Sequence, residues 1–160
     1  MNDFKIGLIG KGVVGSALYD SFTKRGQPVI VYDNQSDYRD FNVLLDADIV
    51  FMCLPTPFVE GHGYDLEPIL SNMKELKKGK FNGVVVIKST VEPGTCHMLE
   101  EKFGFTVIHN PEFLSSRTAY QDFDNQRHIV IGYNKNYTTR KGYEIFITAP
   151  DIVIRLYKKL

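Results

Sequence analysis

The sequence predicts an α/β fold, a doubly wound and mostly parallel Rossmann-type sheet with helices on both faces, formed as a single domain by residues 1–160. Short apolar runs recur along the chain, and most are continuous in apolarity, which is typical of strands covered on both faces. Segments with helical spacing lie between most of these runs, and right-handed crossovers then give a parallel sheet. A chain of 160 residues has the length of one domain.

Seven runs are predicted to form strands. They are FKIGLIG (4–10), PVIVYD (28–33), DIVFMCL (48–54), GVVVIKS (83–89), FTVIHN (105–110), HIVIG (128–132) and DIVIRLY (151–157).

Helices are predicted between most of these strands. Apolar side chains spaced from Val13 to Phe22, and again from Leu66 to Leu76, each form one helical stripe. Pro93 opens a third helical segment, because proline is tolerated in a first turn. TTRKGYEIFI (138–147) is a weaker fourth segment, interrupted by glycine, and the polar GYNKNYTTRKG (132–142) predicts a mobile connection.

Composition excludes several classes of protein. The 19 basic and 19 acidic residues balance, so there is no general field that would attract nucleic acid. The basic KELKKGK (74–80) is interpreted as the last turn of a helix. No apolar run approaches the ~20 residues needed to cross a membrane, and the N-terminus does not resemble a signal peptide. Two cysteines cannot form a disulfide framework, which favours a reducing, cytoplasmic location.

The first strand runs directly into GKGVVG and a helix follows, which is the context of a dinucleotide-binding turn. Gly10 allows the tight turn, Gly12 lets the backbone approach a pyrophosphate, and Gly15 lets the helix pack closely on the sheet. The helix N-terminus then faces the phosphates. The candidate cofactor-binding residues of this turn are Gly10, Lys11, Gly12, Val13, Val14 and Gly15.

Asp33 ends the second predicted strand, 18 residues after Gly15, close to the position of the acid that binds the adenosine ribose hydroxyls. This carboxylate would repel a 2′-phosphate. The residues that follow it, NQS, offer no arginine to reverse that preference. The sequence therefore predicts NAD as the cofactor in preference to NADP.

Three further turns follow predicted strands and would gather at the carboxyl edge of the sheet, where such folds bind ligands. They are PTP (55–57), STVEPGT (89–95) and NPEF (110–113). Together with GKGVVG and TAYQDF…RHIVIG, in this order, they resemble the NAD-binding domain of the UDP-glucose/GDP-mannose dehydrogenase family. The resemblance is strongest over residues 4–132.

Enzymes of that family oxidise the C6 alcohol of a nucleotide sugar to a carboxylate with two NAD, through a thioester on a cysteine. The resemblance implies that Thr56 contacts the cofactor, beside Pro55. It implies that Thr90, which follows Ser89, lies near the nicotinamide and helps to hold the hydrolytic water. Glu112 would belong to the catalytic pocket, where a carboxylate can polarise that water. Thr90 and Glu112 are thus the candidate catalytic residues of a partial site.

The sequence also departs from the family pattern. NPEFL is usually followed by Arg-Glu-Gly, but here by Ser115, Ser116 and Arg117, so that Ser116 stands where a second acid contacts cofactor and water. Only 14 residues separate Asp33 from Asp48, where the family carries a longer insert. The connecting helix and the substrate-binding domain with the nucleophilic cysteine are expected beyond Leu160.

The two cysteines are not expected to replace that nucleophile. Cys53 is predicted to lie inside a strand in an apolar role. Cys96 falls in the first turn of a helix, where a thiol pKa can be lowered, but nothing places it near a sugar. The cysteines and histidines lack zinc-site spacing, and His62 and His128 receive no role, so no metal is predicted.

Two hypotheses remain open. The chain is either the cofactor domain of a nucleotide-sugar dehydrogenase, completed by a missing second half, or a free-standing, non-catalytic NAD-binding module that senses the cofactor or pairs with a full-length dehydrogenase. The missing second acid, the short insert and the terminus RLYKKL favour the module. A third and weaker alternative is a β-hydroxyacid-type dehydrogenase. A partner chain or a homodimer would cover the face left by the missing helix, and a nucleotide sugar would bind only with the second domain.

Overall fold

The central sheet has five parallel strands. The computed structural model describes residues 4–34, 37–134 and 149–158. The strands are β1 (Ile6–Ile9), β2 (Val29–Tyr32), β3 (Ile49–Met52), β6 (Val84–Ile87) and β7 (Thr106–His109), while β4 (Phe58–Val59) and β5 (Gly63–Tyr64) form a separate hairpin. The order of the five strands in the sheet is β2-β1-β3-β6-β7. β1, β3 and β6 are buried at every position, as continuous apolarity predicts for strands covered on both faces.

Helices cover both faces of this sheet, which confirms the predicted doubly wound fold. They are α1 (Val13–Lys24), α2 (Glu67–Lys78), α3 (Thr95–Phe103), α4 (Ala119–Asp124) and α5 (Ala149–Lys158). Alternate strand residues face two separate cores, because side chains alternate along a strand. Ile49 and Phe51 face the core under α1, α4 and α5, whereas Val50 and Met52 face the core under α2 and α3.

The connection from β2 to β3 holds a short 3-10 helix (Phe41–Leu44) and, within its described residues, no strand. The six-stranded Rossmann order places a further strand outside β2. Here β2 is the edge of the described sheet. The short insert seen in the sequence therefore leaves the described sheet one strand shorter at its β2 edge.

The basic run at residues 74–80 is confirmed as the end of a helix, since α2 ends at Lys78 with Lys77 and Lys78 in its last turn. The third helix begins at Thr95, with Gly94 as its N-cap, two residues after Pro93. The loop after β3 contains a hairpin that the sequence did not indicate, β4 (Phe58–Val59) with β5 (Gly63–Tyr64).

Two predicted strands are wrong. HIVIG (128–132) forms only an isolated antiparallel bridge, in which His109 and Gly132 exchange two backbone hydrogen bonds of 2.8 Å. DIVIRLY (151–157) lies in helix α5, not in a strand, and Val153, Leu156 and Tyr157 are its buried face. Those three positions have the spacing of one helical face, which a run of β-branched residues conceals.

The weaker helical segment at 138–147 and most of the polar connection at 132–142 lie outside the described residues. Within the described part of the chain, no helix is long and apolar enough to cross a membrane.

Candidate cofactor crevice and its catalytic edge

The glycine turn packs as closely as its sequence predicts. Gly10 has a φ of +88°, and a Cβ there would lie 2.5 Å from the carbonyl oxygen of Cys53. A Cβ on Gly15 would lie 1.9 Å from the carbonyl oxygen of Gly10. Because real Cβ atoms do not approach oxygen so closely, only glycine fits at either position. The turn can therefore lie directly against the start of α1 and the end of β3.

Gly12 plays a different role, because a Cβ there would meet nothing within 4 Å. It is the N-cap of α1, and no side chain caps this helix end. The first backbone N–H groups of a helix have no partner within the helix and carry its positive dipole end. The open space before Gly12 thus matches the room that a pyrophosphate needs.

Asp33 directly follows β2 and reaches back to the glycine turn. Its Oδ2 accepts a hydrogen bond of 2.7 Å from the backbone N–H of Lys11, and its own N–H donates to the carbonyl of Tyr38 at 2.8 Å. The Lys11 ammonium lies 3.9 Å from the centre of the Tyr19 ring and 4.8 Å from that of Tyr38. The carboxylate and the turn are therefore held together as one unit at the edge of the sheet. Val13 is exposed and Val14 half-buried at the same helix end.

The loops after β3 and β6 are joined by side-chain hydrogen bonds. Ser89 Oγ donates to the carbonyl of Leu54 at 2.7 Å and accepts from the N–H of Leu54 at 3.1 Å. Thr56 Oγ1 donates to the carbonyl of Thr90 at 2.6 Å. The structure thus brings Thr56, Ser89 and Thr90 together, next to the exposed Pro55.

Glu112 lies in the loop after β7, half-buried, and its Oε2 accepts a hydrogen bond of 2.6 Å from the backbone N–H of Leu114. β7 is adjacent to β6, so this loop and the loop carrying Thr90 leave neighbouring strands at the same edge of the sheet. Phe113 beside it is 76% exposed. The two candidate catalytic residues therefore share the carboxyl edge.

Ser116 lies in the exposed turn before α4. Asp122 holds this turn, because its Oδ2 accepts from the Ser115 N–H at 2.9 Å and from the Thr118 hydroxyl at 2.8 Å. These bonds lower the pKa of Asp122. A fixed turn presents a hydroxyl at Ser116, where a carboxylate was expected from the family pattern.

Sequence reasoning missed a buried polar cluster below this edge. Lys88, the last residue before Ser89, is 4% exposed, and its Nζ donates to both the carbonyl oxygen and the Oδ1 of Asn110 at 3.1 Å. The Tyr157 hydroxyl donates to the same Oδ1 at 2.6 Å. A lysine at the end of the otherwise apolar run GVVVIKS was the available signal. Burial lowers the pKa of Lys88, while the nearby Cys53 and Glu112 oppose that change.

Neither cysteine has the character of a nucleophile. Cys53 lies one residue beyond β3, not inside it, and burial raises the pKa of its thiol to about 12. Cys96 does lie in the first turn of α3, but burial, with the Glu100 carboxylate adding to it, raises its pKa to about 11. Desolvation thus outweighs any effect of the helix end, and both thiols stay protonated at neutral pH.

His62 and His128 lie apart from these loops. His62 is exposed in the hairpin turn, where its Nδ1 lies 3.3 Å from the carbonyl of Glu60, and His128 is exposed as well. Among the described residues, no group of three or more histidine, cysteine, aspartate or glutamate side chains could hold a metal ion.

The order of these elements defines a dinucleotide-binding domain of the Rossmann type. A strand leads into a glycine turn and a helix, and an acid follows the next parallel strand. Residues 36–150 match the model of the UDP-glucose/GDP-mannose dehydrogenase family, NAD binding domain. The chain belongs to this family, and NAD is its cofactor. The match begins after the glycine turn, so the turn and Asp33 are identified from their geometry.

Two relatives from Pseudomonas aeruginosa illustrate the kinship. A UDP-glucose 6-dehydrogenase is 33% identical over 131 residues, covering 72% of this chain and 29% of the relative. A GDP-mannose 6-dehydrogenase is 30% identical over 168 residues, covering 94% of this chain and 38% of the relative. The chain thus spans well under half the length of either protein.

Solved structures agree with the fold. A ternary complex of GDP-mannose dehydrogenase from the same species superposes with a TM-score of 0.76 and 25% identity over 98% of this chain and 44% of that one. A UDP-glucose dehydrogenase from Pyrobaculum islandicum gives a TM-score of 0.78 at 22% identity, with the same shares of each chain.

Proposed function

We propose that residues 1–160 form one cofactor domain of a nucleotide-sugar 6-dehydrogenase, which oxidises a sugar C6 alcohol to a carboxylate only together with a substrate-binding half. The observation that carries this proposal is the combination of the open glycine turn with the shared edge of Thr90 and Glu112. The named relatives act on UDP-glucose and GDP-mannose, which indicates the class of substrate.

The turn residues would hold the pyrophosphate of NAD, and Asp33 would accept hydrogen bonds from the adenosine ribose. In that orientation the nicotinamide lies towards the loops after β3 and β6, beside Pro55, Thr56, Ser89 and Thr90. Each NAD, when bound, would accept one hydride, so the four-electron oxidation of the alcohol to a carboxylate would need two NAD in succession. The chain's own contribution is to orient the cofactor and to exclude other placements of it.

Glu112 is proposed to hold and polarise the water that releases the product, with the Thr90 hydroxyl as a second contact to that water. A half-buried carboxylate at the catalytic edge suits this task, because a base must lie within hydrogen-bond reach of the proton it takes. The nucleophilic thiol must come from outside the described residues, since both thiols described here stay protonated.

Calorimetric titration of the chain with NAD and NADP tests the cofactor half of the proposal, with tighter binding of NAD expected. Oxidation of UDP-glucose and GDP-mannose is then followed by NADH absorbance, with and without a separately expressed substrate domain of a relative. Turnover only in the mixture is expected. Turnover by this chain alone would show that the site is complete and would contradict the proposal.

The second candidate is a non-catalytic module that senses NAD or pairs with a full-length dehydrogenase. The observation favouring it is Ser116, since a hydroxyl cannot act as a base near neutral pH. NAD binding without turnover in any mixture would favour the module.

Two further properties of the protein stay predictions, its location in the cytoplasm and its pairing as a homodimer. Cell fractionation would test the first and light scattering the second.

A further inference from the structure

The buried ammonium of Lys88 has no role in the function proposed so far. Transfer of a lysine charge into a protein interior costs several kcal/mol unless hydrogen bonds and other charges compensate for it. Lys88, Asn110 and Tyr157, which we name the Lys88 cluster, are 4%, 2% and 7% exposed. An apolar residue would fill the same space without that cost.

Asn110 is the centre of this cluster, and each of its polar groups is engaged. Its backbone N–H donates to the carbonyl of Ile87 at 2.9 Å, and its Nδ2 donates to the carbonyl of Val130 at 2.8 Å. Its carbonyl oxygen and Oδ1 accept from Lys88, and Oδ1 accepts from Tyr157 as well. Asn110 thus fixes the start of the loop after β7 in one position.

Both partners lie next to the candidate catalytic residues. Lys88 directly precedes Ser89 and Thr90, and Asn110 is two residues before Glu112, with the rigid Pro111 between them. The two Nζ contacts of 3.1 Å therefore join the loop that carries Thr90 to the loop that carries Glu112. The other described contacts between the two segments are the backbone pairing of β6 with β7 and a hydrogen bond between His109 and the backbone of Ser89.

The charges of Lys88 and Glu112 are also consistent with a link between the two loops. The Glu112 carboxylate lies close enough to Lys88 to oppose the lowering of the Lys88 pKa by burial. Its negative charge therefore favours the protonated form of the buried Lys88 side chain. Phe123, whose ring centre lies 5.7 Å from Nζ, closes the apolar side of the site.

We propose that Lys88 is a positioning residue for the nicotinamide end of the crevice, which holds Thr90 and Glu112 at a fixed separation through Asn110. The inference rests on the proposed function, because it assigns the nicotinamide to the edge where these two residues lie. The competing explanation is that the cluster serves only to dock α5 through Tyr157.

The test uses the full chain and two ligands, NAD and ADP-ribose, which lacks the nicotinamide. In the Lys88→Met variant, a side chain of similar length replaces the cation. We expect the calorimetric affinity for NAD to fall about fivefold to tenfold, roughly 1 to 1.4 kcal/mol, while that for ADP-ribose stays within about twofold. Tyr157→Phe is the matched control, because it removes the hydrogen bond from α5 to Asn110 and keeps both Lys88 hydrogen bonds. It should keep the wild-type ratio of the two affinities.

Thermal melting shows whether Lys88→Met is folded. Should it not fold, Asn110→Ala removes the Oδ1 acceptor of the same contact and leaves the backbone carbonyl, so it should give a selective loss for NAD in the same direction and of smaller size. Equal losses for both ligands, no loss for either, or a selective loss in Tyr157→Phe instead would overturn the role of Lys88. Failure of the wild-type chain to bind either ligand would overturn the proposed function together with this inference, so the two failures are distinguishable.

Discussion

The proposed adenosine end of the crevice offers backbone amides and a half-buried carboxylate, whereas at the opposite end side chains from three loops form the edge. The glycine turn excludes side chains at Gly10 and Gly15 by contacts that no Cβ could make. The far edge is instead held by Ser89, Thr56 and the Lys88 cluster. Substitutions should therefore affect folding at the first end through sterics, and at the second end through lost hydrogen bonds.

The largest effect is expected from Gly15→Ala. Its Cβ would lie 1.9 Å from the Gly10 carbonyl oxygen, so that the turn or the helix must move. Urea unfolding should show a loss of about 3 kcal/mol in the free energy of unfolding, together with lost NAD binding. A variant with wild-type stability would contradict the rigidity attributed to the adenosine end.

Gly12→Ala should separate binding from folding at the same turn. The new methyl group meets nothing within 4 Å, so the free energy of unfolding should change by at most about 1 kcal/mol. The methyl group would enter the space proposed for the pyrophosphate, and NAD affinity should fall roughly hundredfold, about 2.8 kcal/mol. Calorimetry and melting on one preparation measure both quantities. Unchanged affinity would place the pyrophosphate elsewhere.

Asp33→Asn tests the carboxylate of this end. The amide oxygen can still accept from the Lys11 N–H, so the turn should keep its shape, while the repulsion of a 2′-phosphate is lost. The ratio of NAD to NADP affinity should fall about tenfold, near 1.4 kcal/mol. Asp37→Asn, a change at an exposed acid in the same connection, is the control and should leave the ratio unaltered.

Cys53 lies between the two ends, since its Cβ is 3.5 Å from the position of a Cβ on Gly15 and its thiol interacts with Lys88. Burial raises the pKa of this thiol from 9.0 to about 12. Between those values the unfolded chain loses a proton that the native chain keeps, so stability falls as pH rises. Lys88 has the opposite effect on the pH dependence of stability. Burial lowers its pKa in the native chain, so the unfolded chain binds the extra proton and this contribution to stability rises with pH.

Comparison of Cys53→Ala with the wild-type chain measures the contribution of the thiol to the pH dependence of stability. From pH 7 to pH 10 the wild-type chain should lose about 1 kcal/mol more than the variant in urea unfolding. Equal losses in the two proteins would show that the thiol is solvated in the native state. The catalytic edge would then be less protected from water than the Lys88 cluster indicates.

The fold was predictable where periodicity and turn chemistry agree. Five strands, the glycine turn and the helices after it follow from continuous apolar runs bounded by glycine, proline or aspartate. DIVIRLY misled because its β-branched residues favour a strand, although Pro150 in the first turn and Asp151 after it indicate a helix start. Packing of Val153 and Leu156 against the sheet overrides the local preference.

The candidate site was predictable residue by residue only where a motif fixes the backbone. Thr56, Ser89 and Thr90 follow strands that meet at one edge, so their proximity follows from topology. The contact of Tyr157 with Asn110 joins positions 47 residues apart, and no local pattern indicates it. Lys88 was visible in the sequence as a charge in an apolar run, but its partners depend on the tertiary fold.

Because β2 is the margin of the described sheet, Asp33 stands beside solvent and has no further strand behind it among the described residues. Mobile ions reach a charge in such a position, and at physiological ionic strength they screen it over about 8 Å. Discrimination between the two dinucleotides then depends on an electrostatic contact that dissolved ions can reach and weaken. Dissolved salt, as well as the identity of residue 33, therefore sets how sharply this domain distinguishes them.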